Sequence, residues 1–173
     1  MQEQYYPWYE LVEGKELFQG AILNSCPLII PPSTIEGEIN VDVIEYDVIV
    51  MSQSCDLVEK KLELVLVCPI WTLSEWENKN PSYRSAKMKE SLRQGYLPGY
   101  HLLNKCEIDG FKREHFVVDF RSVYSVPFDF LVELAQKRGK RLQLLPPYRE
   151  HLSQSFARFF MRVGLPVDIP PFE

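Results

Sequence analysis

The segment Ser52-Gln-Ser-Cys-Asp56 is the most distinctive polar group in the chain, and it directly follows an apolar run of strand length. A thiol at a strand end becomes a nucleophile when a histidine or a cation lowers its pKa, and His101 or His115 is the candidate base for Cys55. Asp56 acts in the opposite sense, because a neighbouring negative charge disfavours the thiolate. We therefore expect either a catalytic group of Ser52, Cys55 and Asp56 or a structured turn in which Cys55 points inward.

Basic residues are concentrated towards the end of the sequence. Residues 137–162 hold seven Lys and Arg and one acid, a charge of +6, whereas the remainder carries −11 within a formal net charge of −5. This balance argues against a general affinity for nucleic acid, which needs clustered cations. An acidic body with a basic region either binds an anionic partner through that region or neutralises itself internally. The candidate binding residues are Gln53, Ser54, Arg149, Arg158 and Arg162.

The four cysteines raise the question of a metal site. No two of them form a C-x-x-C pair, so we predict reduced thiols and no bound metal. A zinc site made by Cys26, Cys55, Cys106 and a histidine stays open as an alternative, because zinc needs only four ligands that meet in space. The eight glycines are scattered singly, without a phosphate-binding loop, so we expect no cofactor and no nucleotide-dependent enzyme. Candidate carboxylates for acid–base chemistry are Asp47, Asp56 and Asp119.

Two apolar runs predict the centre of a β-sheet. Residues 47–52 and 63–70 have the length and composition of central strands that are covered on both faces. The link between them, residues 53–61, has the composition and length of a hairpin connection. We expect this link at the rim of a small closed β structure, with no positive group beside it. A further strand is predicted over residues 16–23.

Turn and helix signals predict the other elements. Asp109-Gly110 separates two strand-like segments, 100–106 and 114–120, which predicts a hairpin, and residues 121–126 form another strand. A capping box over Ser74 to Glu77 begins a helical turn, and Asn80, Pro81 and Gly95 bracket a second, surface helix. Two helices are predicted near the end, over 127–138 and 147–163. The apolar face of the last helix consists of Leu152, Phe156, Phe159, Phe160 and Val163.

Together these elements predict an α+β fold, with a compact, mostly antiparallel β-barrel, an inserted helix and a C-terminal amphipathic helix. We expect one domain over residues 1–173, with the barrel core at 16–126, the helical insertion at 74–95 and the C-terminal helices at 127–163. No apolar run approaches the about 20 residues that a membrane span needs, and no signal peptide pattern follows Met1. The expected location is the cytoplasm, without membrane contact.

Two segments resemble the beginning of PemK/MazF-like proteins, which are small SH3-like barrels found as toxins in toxin–antitoxin pairs. They are Phe18-Gln-Gly-Ala-Ile-Leu23 and Asp47-Val-Ile-Val-Met-Ser-Gln-Ser-Cys-Asp56. The resemblance implies an SH3-like barrel and an RNA-cleaving site in which Ser52 is the hydroxyl residue. The family places an arginine ahead of the second strand, where this chain has Glu45, Tyr46 and Asp47, and Ala21 replaces the usual acid.

The missing arginine decides the predicted function. Phosphodiester cleavage needs a cation at the developing phosphorane charge, and carboxylates at that place repel the substrate. We therefore expect a macromolecule-binding or regulatory module of a bacterial defence or toxin-like operon, with a protein as its partner and RNA as the second possibility. One alternative is an endoribonuclease that uses Ser52 with an arginine from elsewhere, such as Arg121. The other is thiol or zinc chemistry at Cys55. Residues 142–166 also resemble the ending of uncharacterised bacterial proteins.

Overall fold

A computed structural model describes residues 6–35 and 41–161. Eight strands are present in these ranges: β1 Tyr9–Val12, β2 Ile22–Ile30, β3 Asp42–Val50, β4 Leu64–Thr72, β5 Tyr100–Leu103, β6 Phe116–Asp119, β7 Tyr124–Pro127 and β8 Arg141–Leu144. The five α-helices of the same ranges are α1 Ser54–Val58, α2 Leu73–Lys79, α3 Ala86–Arg93, α4 Phe128–Arg138 and α5 Tyr148–Phe160, and a 3-10 turn covers Pro81–Tyr83. None of the helices described is long and apolar enough to cross a membrane.

The strands form an antiparallel arrangement, so the predicted α+β class is confirmed. The larger sheet has the order β2-β3-β4-β6-β5, with β7 also paired to β4, and β1 pairs with β8 in a separate two-stranded sheet. A single bridge between Ala21 and Gln143 joins the two sheets. No pairing between described strands connects β2 to β7 or to β5, so this sheet is not closed into a barrel.

The two predicted central strands are neighbours. Ile49 lies opposite Cys68, and Val48 to Val50 are fully buried. The first half of β4 departs from the prediction, because Val65 and Val67 are buried whereas Leu64 and Leu66 are exposed. This alternation is that of a strand with one covered face. The link 53–61 does connect antiparallel neighbours, but it contains helix α1.

The strand predicted over 16–23 is wrong, because β2 begins only at Ile22 and continues through Pro27 to Ile30. Gly20 has a φ of +84°, which turns the chain just before the strand. Pro27 is tolerated inside β2 because this strand lies at the edge of the sheet and one of its sides needs no donor.

The hairpin at Asp109-Gly110 is confirmed by the antiparallel pair β5 and β6, with Gly110 at a φ of +80°. The capping box is displaced by two residues: Thr72 and Glu75 form it, and α2 begins there. The predicted second helix is split into the 3-10 turn and α3, which begins after the Ser85 cap. Helix α4 ends at Gly139 as predicted, whereas Val163 of the last predicted helix lies outside the described residues.

Hydrophobic side chains pack in three clusters. One includes Phe120 and Leu152 and lies under α5, and a second includes Leu131 and lies under α4. The insertion has a third cluster of its own, in which Trp76 is fully buried. The helix predicted to lie at the surface of the insertion therefore contributes Leu92 to a hydrophobic cluster. Each fully buried large apolar side chain contributes about 1.5–3 kcal/mol of stability, so these clusters fix the positions of α2, α4 and α5.

Candidate functional site

The end of β3 fixes the position of the Ser-Gln-Ser-Cys segment. Ser52 is buried, and its Oγ accepts a hydrogen bond of 2.8 Å from the backbone N–H of Leu66 in β4. Gln53 then adopts an extended conformation at the N-cap position of α1, without a side-chain capping bond, and the apolar residue Leu57 of α1 is buried. This anchoring turns Gln53, Ser54 and Cys55 towards the surface, where Cys55 is exposed.

Helix α5 is fixed at its beginning and through one face. Tyr148 stacks on Trp8 with ring centroids 3.6 Å apart, and Leu152 is fully buried. On a helix, residues four positions apart share a side, so Arg149 lies beside Ser153 and Glu150 beside Gln154, and all four are less buried than Leu152. This face is the one that approaches α1.

A cavity of about 310 Å³ lies between α1 and α5, and we call it the polar cleft. Its lining residues are Gln19, Gln53, Ser54 and Cys55 on one side and Arg149, Glu150, Ser153 and Gln154 on the other. The amide Nε2 of Gln53 donates a hydrogen bond to Ser153 Oγ over 3.1 Å, which joins the two sides directly. The candidate binding residues Gln53, Ser54 and Arg149 are thus brought together with Cys55.

The wall behind the polar cleft is formed by Gln19 and Gly20. Gln19 donates its backbone N–H to Ser54 Oγ and its side-chain amide to the Met51 carbonyl. Gly20 packs closely, since a Cβ there would lie 2.9 Å from Leu144 Cβ and 3.6 Å from Arg149 Cγ. The absent side chain therefore lets β8, which leads into α5, approach the Gln19 loop.

The charge in the polar cleft corrects one expectation. We expected no positive group beside the link 53–61, but Arg149 lines the same cavity as Gln53, Ser54 and Cys55. Its guanidinium donates to Glu150 Oε1 over 2.9 Å. Desolvation acts against ionisation of this carboxyl, but the hydrogen bond from Arg149 and nearby positive charge lower the pKa of Glu150 overall.

The other predicted site residues do not line the cleft. Ser52 lies behind it with its hydroxyl bonded to the backbone, and Asp56 belongs to α1 but is absent from the lining. Arg158 is exposed on α5, one turn beyond Gln154, so it extends the same stripe of the helix. Arg162 lies outside the described residues.

The lining of the polar cleft includes Cys55 but neither of the candidate bases, His101 and His115. His101 stacks on Phe120, with centroids 6.1 Å apart, in the cluster under α5. Burial, and to a smaller extent His151, lowers the pKa of His101 to about 4. The backbone carbonyl of His115 accepts the N–H of Leu73 at the start of α2.

Arg121, the arginine considered for an alternative cleavage site, has other partners. Its guanidinium donates two hydrogen bonds to the carboxylate of Asp119, at 3.0 and 2.9 Å, and lies 4.3 Å from the ring centroid of Tyr100. Asp119 is buried, so this bidentate pair stabilises the end of β6.

The zinc alternative is not supported by the positions of its ligands. Cys26 and Cys106 are buried in different hydrophobic clusters, and Cys55 is exposed on α1. Within residues 6–35 and 41–161, no three His, Cys, Asp or Glu side chains are grouped so that they could hold a metal ion.

Four cleft residues were missed in the sequence: Gln19, Glu150, Ser153 and Gln154. The spacing of four between Arg149 and Ser153 on a predicted helix was the available signal for the α5 side. Gln19 gave no local signal, because it reaches the cleft through the turn at Gly20. In comparisons with known proteins, no protein-family model and no curated protein sequence matches this chain.

Proposed function

We propose that this chain is a macromolecule-binding or regulatory module that holds a partner protein in its polar cleft. The supporting observation is that Gln53, Ser54 and Cys55 share one cavity with Arg149, although the arginine lies far along the chain. The wider proposal keeps a PemK/MazF-like, SH3-like scaffold whose sheet is open between β2 and β7, and a bacterial, cytoplasmic defence or toxin-like operon as the setting.

The chemistry of the polar cleft suits a peptide segment. Side-chain amides and hydroxyls both donate and accept hydrogen bonds, as the peptide groups of a partner require. Arg149 adds a planar, charged donor that binds a carboxylate with two bonds. Its present partner Glu150 is half exposed, and such ion pairs are worth only about 0–1 kcal/mol, so a carboxylate of the partner can replace it.

Cys55 provides a direct experiment. It is exposed, whereas Cys26, Cys68 and Cys106 are buried, so a thiol-reactive photocrosslinker attaches selectively inside the cleft. We expect the labelled protein to crosslink one defined protein when it is purified from its own cells under native conditions. Arg149→Ala should reduce the yield at least fivefold, because the charged contact is lost.

The control places the crosslinker elsewhere. In Cys55→Ser combined with Lys112→Cys, the label is on the β5–β6 hairpin, away from the cleft residues, and the same partner should not be captured. Equal crosslinking from both positions, or a yield that Arg149→Ala leaves unchanged, would contradict the proposal.

An endoribonuclease is the second candidate, and it is favoured by the presence of Arg149 beside Ser54. A guanidinium stabilises the phosphorane charge, and the ionised Glu150 carboxylate is a possible acceptor for the ribose 2′-hydroxyl proton. Incubation with total RNA tests it: cleavage that Arg149→Ala and Glu150→Gln both abolish would replace the binding proposal. Ser52→Ala distinguishes this cleft from the cleavage site predicted at Ser52, because Ser52 lies outside the cleft lining.

A further inference from the structure

Helix α5 is attached to the larger sheet through a layer of aromatic rings. Phe120, which follows β6, packs edge-on against Phe156 of α5 with ring centroids 5.3 Å apart, and it lies at a tilt to Phe159. Phe120 also stacks on His101 of β5, and the two rings are within 17° of parallel. A titratable imidazole is therefore part of the aromatic contacts that hold α5.

A second imidazole faces this layer from α5 itself. His151 precedes the buried Leu152, and its ring packs edge-on against Tyr148 with centroids 6.1 Å apart. His151 is exposed, yet its positive charge adds to the larger effect of burial in lowering the pKa of His101. The two histidines thus lie on the two sides of the junction between β5 and α5.

The other titratable groups in the cluster under α5 are phenols and thiols. Tyr9, Cys68 and Cys106 are buried there. Burial is the main reason that the pKa of Tyr9 is raised, and it raises the pKa of Cys68 to about 12. Phenols and thiols carry no charge in acid, so these groups do not balance a positive charge on His101.

The nearest buried carboxylate in the strand pair points away from this layer. Asp119 lies opposite Tyr100, whereas His101 lies opposite Val118, so the carboxylate and the imidazole project from opposite faces of the sheet. Asp119 is bonded there to Arg121. Of the charged groups, His151 is the one that acts on His101. A proton on His101 therefore meets a positive neighbour in an apolar layer.

Helix α5 also forms one side of the polar cleft. On that side Arg149 pairs with Glu150, and Ser153 accepts a hydrogen bond from Gln53 of the opposite side. The helix is docked through side chains, with Leu152 at the centre of the contact. It can therefore separate from the sheet without breaking a hydrogen bond between strands.

We propose that α5 is a proton-controlled wall of the polar cleft: protonation of His101 releases α5 from the sheet and takes the cleft apart. As a means of regulating partner binding, this inference rests on the proposed function. The release itself needs no partner, so it is measured on the protein alone and the two proposals can fail separately.

The size of the effect follows from the two environments of His101. Its pKa is about 4 when α5 is docked and about 6.5 when the imidazole is in water. Above pH 6.5 both states are neutral and α5 stays docked. Each pH unit below 6.5 favours release about tenfold, and the effect approaches about 300-fold below pH 4.

Amide hydrogen exchange tests the release. At each pH the rate is corrected for intrinsic exchange and converted to an opening constant. Between pH 7.5 and 5.5 the opening constant of residues 148–160 should rise about tenfold in the wild type and less than twofold in His101→Phe. His115→Phe is the matched control, because the backbone bond from Leu73 to the His115 carbonyl is retained, and it should respond as the wild type does.

A tether between the two sides of the cleft tests the same release without changing His101. Gln154→Cys is linked to Cys55 by a short bismaleimide, since both residues line the cleft and the other cysteines are buried. The tethered protein should show at least a fivefold smaller rise in the α5 opening constant at pH 5.5 than the same variant before linking. Circular dichroism at pH 7.5 checks that each variant is folded.

Three results would overturn the inference. One is an equal pH response in the wild type and His101→Phe. Another is an equal rise before and after tethering. The third is an equal opening constant for α5 and for Val48 to Val50 at pH 5.5, because the whole domain then unfolds instead of releasing one helix. Release of α5 without any partner captured through Cys55 would contradict the proposed function alone.

Discussion

His101 makes the stability of this protein depend on pH in a calculable way. Its folded-state pKa is about 4, mainly because of burial against Phe120 and secondarily because of His151, whereas an unfolded histidine titrates near 6.5. Above pH 6.5 both states are neutral and His101 contributes no pH dependence. Between pH 6.5 and 4 only the unfolded state binds the proton, so the free energy of unfolding falls as the pH falls. The full loss is about 3 kcal/mol, at about 1.4 kcal/mol per pKa unit.

Urea denaturation at pH 7.5, 6.5, 5.5 and 4.5 measures this dependence. In His101→Phe the aromatic contact with Phe120 is retained and the proton site is removed, so the variant should lose about 2–3 kcal/mol less than the wild type by pH 4.5. His151→Ala should keep most of the dependence, because burial is the larger cause. Parallel stability curves for the wild type and His101→Phe would refute the reasoning.

Two further predictions concern residues around the polar cleft. Gly20→Ala should cost about 1–3 kcal/mol more than Gly110→Ala in urea denaturation, because both glycines have positive φ but a Cβ only at Gly20 meets neighbouring atoms. Equal costs would show that Leu144 of β8 does not approach Gly20 as closely as described. Ser52→Ala should cost about 0.5–1.5 kcal/mol with unchanged circular dichroism, because the partly buried N–H of Leu66 loses its acceptor. A variant as stable as the wild type would contradict this role for Ser52.

Much of the fold could be predicted because its signals are local. The apolar runs of β3 and β4, the Asp109-Gly110 turn and the periodic face of α5 each lie within a short stretch of sequence. The predicted boundaries of strands and helices were wrong where one residue has two structural roles. Thr72 is β-branched and ends β4, yet it also caps α2, and the displaced helix start follows from that double role.

The pairing of β1 with β8 could not be predicted, because these strands are short and far apart in the chain. Strand β8 also has polar residues that are buried. Arg141 is only 3% exposed and donates to the carbonyls of Gly14 and Glu16, and desolvation lowers the pKa of its guanidinium. A count of charges along the sequence therefore overstates the basic surface, since Arg141 is buried and bonded to backbone carbonyls.

The polar cleft shows the same division between local and distant information. The local sequence alone predicted three binding residues, Gln53, Ser54 and Arg149. They line one cavity because β1 pairs with β8 and because Gly20 packs closely against Leu144. Both features join the beginning of the chain to the end. The expected absence of a cation was wrong for this reason, because Arg149 reaches the link 53–61 only through contacts between distant parts of the chain.

The polar cleft depends on the hydrophobic core for its position but not for its chemistry. It has amides, hydroxyls and one arginine between two helices, and its geometry depends on the docking of α5 through Leu152. Arg149→Ala changes a partly exposed side chain outside the cluster that contains Leu152. This variant should therefore report on the cleft alone.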